Sequence, residues 1–380
     1  MVTLKDIAAR VNVSTTVVSH VLNNPSGNTR VSEQTRKLIQ KVAREMNYVP
    51  NRRAQALVTR RTQTIGFICS RTYVKNNHKS DAYFHAILHG VEETCRLAGY
   101  HCLYARYELG DLEHIVYPQS MKDGSVDGVV LAGYTPREAI EKLASLRLPC
   151  VQVGTNVDPN CGIRCFTGDL GRAFETVARR LRELGHRRIQ LVLPGGPGPE
   201  AWAKKFVELK DRIAGLEPEI ALMPALASNR DSALAHAQTV VRRARSGAAS
   251  CDRPTAFICN PVHSTGLAEG LAEHGWLCPR DYSMVCFGLP ESEDMRLYPG
   301  NVRLSFITLP VEDAGRLAAR ELLKRLGVSV PAPQADLQTE TIKSTTYIPC
   351  GVWFRESCGA VAAEGGEVGS SSKVPAAASA

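Results

Sequence analysis

Within Val13–Asn28 a short helix is written with two faces that want different surroundings. Val17, Val18, Val21 and Leu22 form i, i+4 apolar pairs, while Thr15, Thr16, Ser19, His20 and Asn23 take the remaining surface. Ser14 can cap this helix, since a serine oxygen accepts from the N–H groups that a first turn leaves unpaired. Ahead of it, Thr3-Leu-Lys-Asp6 is a capping-box pattern opening a helix with Leu4, Ile7, Ala8 and Val11 on one side. Only Asn12-Val13-Ser14 lies between the two. Ser32 as cap, Glu33 in the first turn, and the stripe Leu38, Ile39, Val42 and Met46 signal a third helix. The spacing predicts a helix-turn-helix unit with a supporting helix, in which one face of the second helix packs and the other is free to read a groove. A plain helical bundle with a solvated polar face is the competing reading.

Charge separates the two. The formal net charge of the 380 residues is +8. Residues 1–64 hold eleven Lys and Arg against Asp6, Glu33 and Glu45, so the whole excess sits there and everything after sums to zero. A basic head on a neutral body is the pattern of one small domain that meets phosphates. Acidic membranes also attract such charge, but no helix here opposes a Lys/Arg face with the broad apolar face a membrane-surface helix needs.

A hydrophobic content of 44% with 22% charged residues is ordinary for a globular protein, and the length suits two or three domains. No stretch approaches the roughly 18 to 20 apolar residues of a membrane span, and the N-terminus runs directly into a capped helix, so the expected location is the cytoplasm. Twelve cysteines are scattered through predicted strands and helices and are expected to be reduced and mostly buried. Cys161 and Cys165 are the closest pair, with no second Cys/His pair nearby to complete a zinc site, so no metal is expected.

From about residue 62 the pattern alternates. Strands are expected at Thr64–Cys69, His101–Arg106, Gly128–Gly133, Cys150–Gly154, Ile189–Leu193, Ala256–Cys259 and Ser283–Phe287. Between them fall helices near Tyr83–Ala98, Arg137–Ser145, Ala173–Leu184, Trp202–Ile213, Ser232–Ser246 and Ser264–His274. Short apolar runs separated by amphipathic helices predict an α/β core of two doubly wound parallel-sheet subdomains, behind an all-α head. Any ligand would lie in the crevice at the carboxyl ends of the strands. Pro194-Gly-Gly-Pro-Gly-Pro199 follows a strand but has no Lys-Ser/Thr, and its prolines remove the N–H donors of a phosphate cradle; it reads as a strand-to-helix connection. No nucleophile elbow, His-Glu-x-x-His pair or complete dinucleotide fingerprint is present, so neither an enzyme nor a cofactor is expected.

The residues Val2–Ser14, Val18–Asn23, Val31–Arg36 and Tyr48–Leu57 resemble the DNA-binding head of bacterial lactose-repressor/galactose-repressor (LacI/GalR) transcription factors. The likeness continues through Thr64–Gly66, Val126–Val130, Leu184–Ile189, Gly266–Gly275 and Arg355–Ser357, essentially residues 1–357. It implies a head at 1–50, a hinge helix and linker at 51–61, and a periplasmic-binding-protein-like core at 62–357. One subdomain would take about 62–165 and 293–329, the other about 166–292 and 330–357. The tail, 358–380, is Ala/Gly/Ser-rich without a Leu heptad, and disorder and a homodimer without a tetramer-forming coiled coil are expected.

The resemblance places Thr15, Thr16 and His20 where base edges are read in the major groove of a palindromic double-stranded operator. Thr3, Ser14, Ser19, Asn23, Ser32 and Thr35 fall at phosphate positions. His20 stands where Arg is usual; it keeps a donor but loses the bidentate fork, so a different operator is implied. Asn51–Val58 matches the hinge helix, too short to be stable alone and therefore expected to be disordered until DNA and a partner support it. Leu57 sits at the minor-groove wedge, with Asn51, Arg52 and Arg53 in reach of the duplex. As a linker residue, Leu57 would instead pack on the core.

The effector pocket departs further. Trp202 replaces an Arg that binds ligand, Lys205-Phe206 replaces a Gly-Phe pair, and Gly288 and Gly154 stand where acids are usual. Asp169 and Asn260 match. Carboxylates and a guanidinium orient sugar hydroxyls, so their loss argues against a free-sugar inducer, while Trp202 can stack on a ring. Read without a ligand, Trp202 is core packing. The function implied is a sequence-specific transcriptional regulator, a dimeric repressor modulated by a small molecule. The competing readings are an effector-independent regulator and a ligand-binding protein with an inactive head.

Overall fold

The computed structural model describes residues 2–23, 31–71, 79–109, 115–116, 118–133, 140–141, 148–154, 162–195, 197–223, 229–246, 253–289, 294–331 and 337–361. It divides into two units, residues 1–63 and 64–380.

The first unit is built on caps. Helix α1 (Leu4–Val11) opens on Thr3, whose Oγ1 accepts from the Asp6 N–H at 3.4 Å while the Asp6 carboxylate accepts from the Thr3 N–H at 2.8 Å. Asn12 closes it in the left-handed conformation, φ 57°, which asparagine tolerates better than most residues. Helix α2 (Thr15–Asn23) opens on Ser14, whose Oγ accepts from the Val17 N–H at 3.3 Å. Helix α3 (Glu33–Glu45) opens on Ser32, which accepts from the Thr35 N–H at 3.1 Å. Ile7, Ala8, Val18, Val21, Ile39, Val42 and Ala43 are buried together, with Val17, Leu22 and Met46 packed around them. Leu38 does not join this core and is 47% exposed, because the buried positions Ile39, Val42 and Ala43 turn it outward. A fourth helix, α4 (Arg52–Thr59), follows.

The second unit holds two sheets. The first is assembled from β1 (Thr64–Arg71), α5 (Lys79–Leu97), β2 (His101–Leu109), β3 (Ile115–Val116), β4 (Gly128–Ala132), β5 (Cys150–Val153) and β6 (Arg164–Gly168). The chain then crosses through α6 (Leu170–Glu183) to β7 (Arg188–Pro194), α7 (Pro197–Val207), β8 (Glu217–Met223), α8 (Arg230–Arg245), β9 (Ala256–Cys259), α9 (Pro261–Ala272), β10 (Ser283–Gly288), the small hairpin β11 (Arg296–Leu297) and β12 (Val302–Arg303), and β13 (Ser305–Thr308). It returns through α10 (Val311–Arg325), β14 (Glu340–Ile342) and β15 (Thr345–Ile348), and crosses last to β16 (Gly351–Trp353). Strand order is β14-β15-β6-β5-β4-β1-β2-β3 in one sheet and β16-β13-β10-β9-β7-β8 in the other. Pairing is parallel except at the edges β14–β15, β2–β3 and β13–β16. β4 is buried at every position, as a strand covered on both faces must be.

Sheet membership moves the expected subdomain boundaries. β13 belongs to the second sheet, so the chain changes sheets after Thr308 and not near 293; β14 and β15 belong to the first, so it changes again after Ile348 and not near 330. The helix expected at Trp202–Ile213 ends at Val207 and tightens into a single 3₁₀ turn, Glu208–Asp211. The expected helix at Arg137–Ser145 lies outside the described residues save for Ile140 and Glu141, and so does the tail from 362 on. Ten cysteines are described; all are free, and seven are buried.

Helix α10 crosses α5 at glycines. A Cβ on Gly90 would collide with the Glu312 carbonyl oxygen, and one on Gly315 with the Ile87 carbonyl oxygen. Gly266 and Gly270 do the same for α9 against α8, where a Cβ would strike the Arg230 carbonyl oxygen and the Ala237 methyl group. Below the second sheet, buried His186 ties down the chain's last described segment. Its Nε2 lies 2.9 Å from the Gly359 carbonyl and from the Ser283 hydroxyl, and its Nδ1 lies 2.9 Å from the Thr255 hydroxyl. A neutral ring that donates from Nε2 to Gly359 and accepts at Nδ1 from Thr255 satisfies the network. Burial holds the His186 imidazole below its usual pKa and pushes that of fully buried His263 down to about 4.

Two outcomes are expected. Gly90→Ala should destabilise the fold by about 1–3 kcal/mol through overpacking, whereas Gly171→Ala should stabilise it by about 0.5–1 kcal/mol. At Gly171, a helical site in α6, an added Cβ meets nothing closer than 3.5 Å. Urea unfolding of both variants checks this, and equal effects would refute the close crossing. The buried histidines must stay neutral, so between their unfolded pKa near 6.5 and the depressed folded values the unfolded chain binds more protons. Stability is therefore full above about pH 6.5 and is lost as pH falls, by about 2 kcal/mol from His263 alone between pH 7 and 5. Urea midpoints across that range should show the decline, flattened in His263→Gln; a midpoint independent of pH would contradict it.

Candidate nucleic-acid interface

The starts of α1 and α2, the inner side of α4 and the linker behind it enclose a cleft of about 1180 Å³ within the first unit. Six of the residues singled out from sequence line it: Thr3, Thr15, Thr16, Ser19, His20 and Asn51. Lys5 and Arg61 line it too, and among the described residues none that lines it is acidic. Ser14, Ser32, Thr35 and Leu57 lie outside this lining, and the side chains of Asn23, Arg52 and Arg53 fall outside the described set.

A hydroxyl has one proton to give, and counting protons sorts the candidates. Thr3 spends its own on the Asp6 carboxylate at 2.8 Å, as does its backbone N–H, so both donors a phosphate contact would use are committed. Those same two bonds hold the Asp6 carboxyl below its usual range, which keeps a negative charge beside Thr3. Ser14 only accepts in its cap, leaving its O–H to point at a ligand. Ser32 and Thr35 share one proton between hydroxyls 2.8 Å apart, so the pair keeps one donor. Thr15 and Thr16 are exposed in the first turn of α2, where N-terminal N–H groups also favour anions.

Asn51 caps α4 by accepting the Ala54 N–H at 3.3 Å, and the Thr59 hydroxyl closes the last turn on the Gln55 carbonyl at 2.9 Å. The segment is thus a formed helix here, although the sequence leads one to expect disorder; capping at both ends offsets part of the cost of a short helix. Leu57 projects from it 86% exposed.

Each of the three effector candidates follows the carboxyl end of a strand, Asp169 that of β6 in the first sheet, Trp202 and Asn260 those of β7 and β9 in the second. Asp169 caps α6 by accepting the Arg172 N–H at 3.1 Å, and Asn260 caps α9 by accepting the His263 N–H at 2.8 Å. Half-buried Trp202 packs edge-on against Phe287, ring centres 6.0 Å apart, in a cluster continued by Phe174 and Phe206. The wall of that region also holds a contact the sequence did not signal, Lys205 Nζ lying 5.0 Å from the Tyr347 ring centre. It joins α7 of one sheet to β15 of the other, and only the order of strands brings the two together.

Among the described residues no three His, Cys, Asp or Glu side chains are grouped to hold a metal ion, and no helix is long and apolar enough to cross a membrane. Family models match in three places: bacterial regulatory proteins of the lacI family over residues 3–51, periplasmic binding proteins and the sugar binding domain of the LacI family over 62–243, and a periplasmic binding protein-like domain over 178–358. The ribose operon repressor of Haemophilus influenzae is 28% identical over 331 residues, covering 86% of this chain and 92% of its own. The transcriptional repressor PurR of Aliivibrio fischeri is 28% identical over 332 residues, with the same shares. In fold, the chain is similar to a lac repressor dimer bound to operator and an anti-inducer, with TM-score 0.71 and 18% identity over 94% of this chain and 99% of that one. It is also similar to the regulator CelR in complex with cellobiose, with TM-score 0.58 and 22% identity over 94% and 100%. With the head, the two-sheet core and these matches running from residue 3 to 358, the chain belongs to the LacI family of bacterial regulatory proteins.

Proposed function

We propose that two copies of this chain bind one palindromic operator in the cytoplasm and repress transcription, without catalytic activity. The observation that carries this reading is the acid-free cleft that gathers Thr15, Thr16, Ser19 and His20 opposite Asn51, in a segment holding the chain's entire net charge. In this reading Thr15, Thr16 and His20 meet base edges, Ser14, Ser19, Asn23, Ser32 and Thr35 hold phosphates, and Thr3 keeps its capping role. Leu57 enters the minor groove between base steps, with Asn51, Arg52 and Arg53 on the flanking backbone.

A small molecule bound at the carboxyl ends of the strands modulates affinity. It is held by the open face of Trp202 and by the polar atoms of Asp169 and Asn260 that capping leaves over. The edge-on seat of Trp202 on Phe287 and the two caps favour a second reading, in which these residues are structural and operator binding needs no effector.

Selection from a random duplex pool should return a palindrome, and binding to it should weaken steeply and linearly in log salt. Leu57→Ala should bend that duplex less and bind it more weakly; wild-type bend and affinity would place Leu57 outside the groove. For the core, thermal-shift screening of sugars, sugar phosphates, nucleosides and aromatic metabolites separates the two readings. A compound that raises the melting temperature and changes operator affinity in wild type, and loses both effects in Trp202→Ala, supports the pocket. No shift with any class favours effector-independent binding.

A further inference from the structure

The linker behind α4 does not run straight on. Arg60 and Gln63 both adopt the left-handed conformation, φ 54° and 53°, although neither is glycine. Between them the Arg61 N–H donates to the Thr59 hydroxyl oxygen at 3.3 Å, while that hydroxyl lies 2.9 Å from the Gln55 carbonyl. The hydroxyl thus fastens the linker to the last turn of α4, and the two left-handed residues turn it so that Arg61 lines the cleft that Thr15, Thr16 and His20 also line. The Arg61 side chain is exposed and has no carboxylate partner among the described residues. A guanidinium held at the wall of an acid-free groove, opposite the start of α2, is placed for a planar, bidentate contact with an anion.

We propose that Arg61 grips a backbone phosphate of the DNA strand that passes between the groove read by α2 and the groove entered by α4. The proposal rests on the DNA-binding reading above and adds to it a contact from the linker, which sequence comparison of the head alone does not reach. The cleft is the place where that strand must pass if both helices engage one duplex, and Lys5 on α1 supplies a second cation to the same lining. A phosphate contact fixes register without reading bases, so Arg61 adds affinity for every sequence equally.

Full-length protein with Arg61→Ala and Arg61→Lys tests this on two probes, a duplex recovered by wild type from a random pool and a scrambled duplex of equal length. Arg61→Ala should weaken both by the same factor and lower the log-salt slope by about 1 per head, so about 2 per dimer. It should also lose ethylation interference at one phosphate per half-site, with melting temperature unchanged, and Arg61→Lys should restore the slope. A wild-type slope and interference pattern in Arg61→Ala overturns the assignment while leaving DNA binding intact. So does a loss confined to the selected duplex. Wild type that recovers no duplex overturns the DNA-binding reading and this inference together.

Discussion

The first turn of a helix leaves N–H groups without partners, and this protein meets that demand with short polar side chains wherever a functional helix begins. Thr3, Ser14, Ser32 and Asn51 do so in the head, and Asp169, Asn229 and Asn260 in the core. Without these caps the helices of the head, each only about two to four turns long, would fray at their first turns. The demand also decides which polar groups are left for a ligand. Two hydroxyls at equivalent places, Thr3 and Ser14, end with opposite capacities because a carboxylate follows one three residues on and a valine follows the other.

The core solves a different problem. Two parallel sheets need helices on both faces, and the helix pairs α5–α10 and α8–α9 approach closely because glycines remove the side chains that would keep their backbones apart. Close approach brings the backbone of α10, which carries the chain back to the first sheet, directly onto α5. The cross-sheet contact of Lys205 with Tyr347 and the capping of α6 by Asp169 both sit where the chain passes between sheets. A ligand there would touch the joints of the structure, which is where small displacements have the largest lever arm.

Most of the head was legible in the sequence because its information is local. Caps three residues from their targets and i, i+4 stripes are written within ten residues, and Leu38 misled only because an apolar residue flanking the buried stripe looks like part of it. The buried central strands were legible for the same reason. Others were not: the edge strand β8 contains Glu217, Pro218 and Glu219 and is only partly buried, while β15 and β16 owe their existence to partners more than forty residues away. Subdomain boundaries failed for that cause, since composition does not say which sheet a strand joins. At the site, the family resemblance pointed to Asp169, Asn260 and Trp202, each of which follows the carboxyl end of a strand. It could not tell that two of them already accept backbone N–H groups and the third leans on Phe287.

Three passages between sheets fix the order in which the protein can be made. The first unit is complete at residue 63 and can fold as soon as it emerges during synthesis. Neither sheet can. The first lacks β15 until residue 348 and the second lacks β16 until residue 353, while the strap held by His186 arrives only at Gly359. A growing chain therefore carries a finished helical head tethered to two unfinished sheets with open edges for most of its time on the ribosome. On the reading proposed above, in which two copies share one operator, such a head stays unpaired during that interval if pairing needs the strands that are finished last.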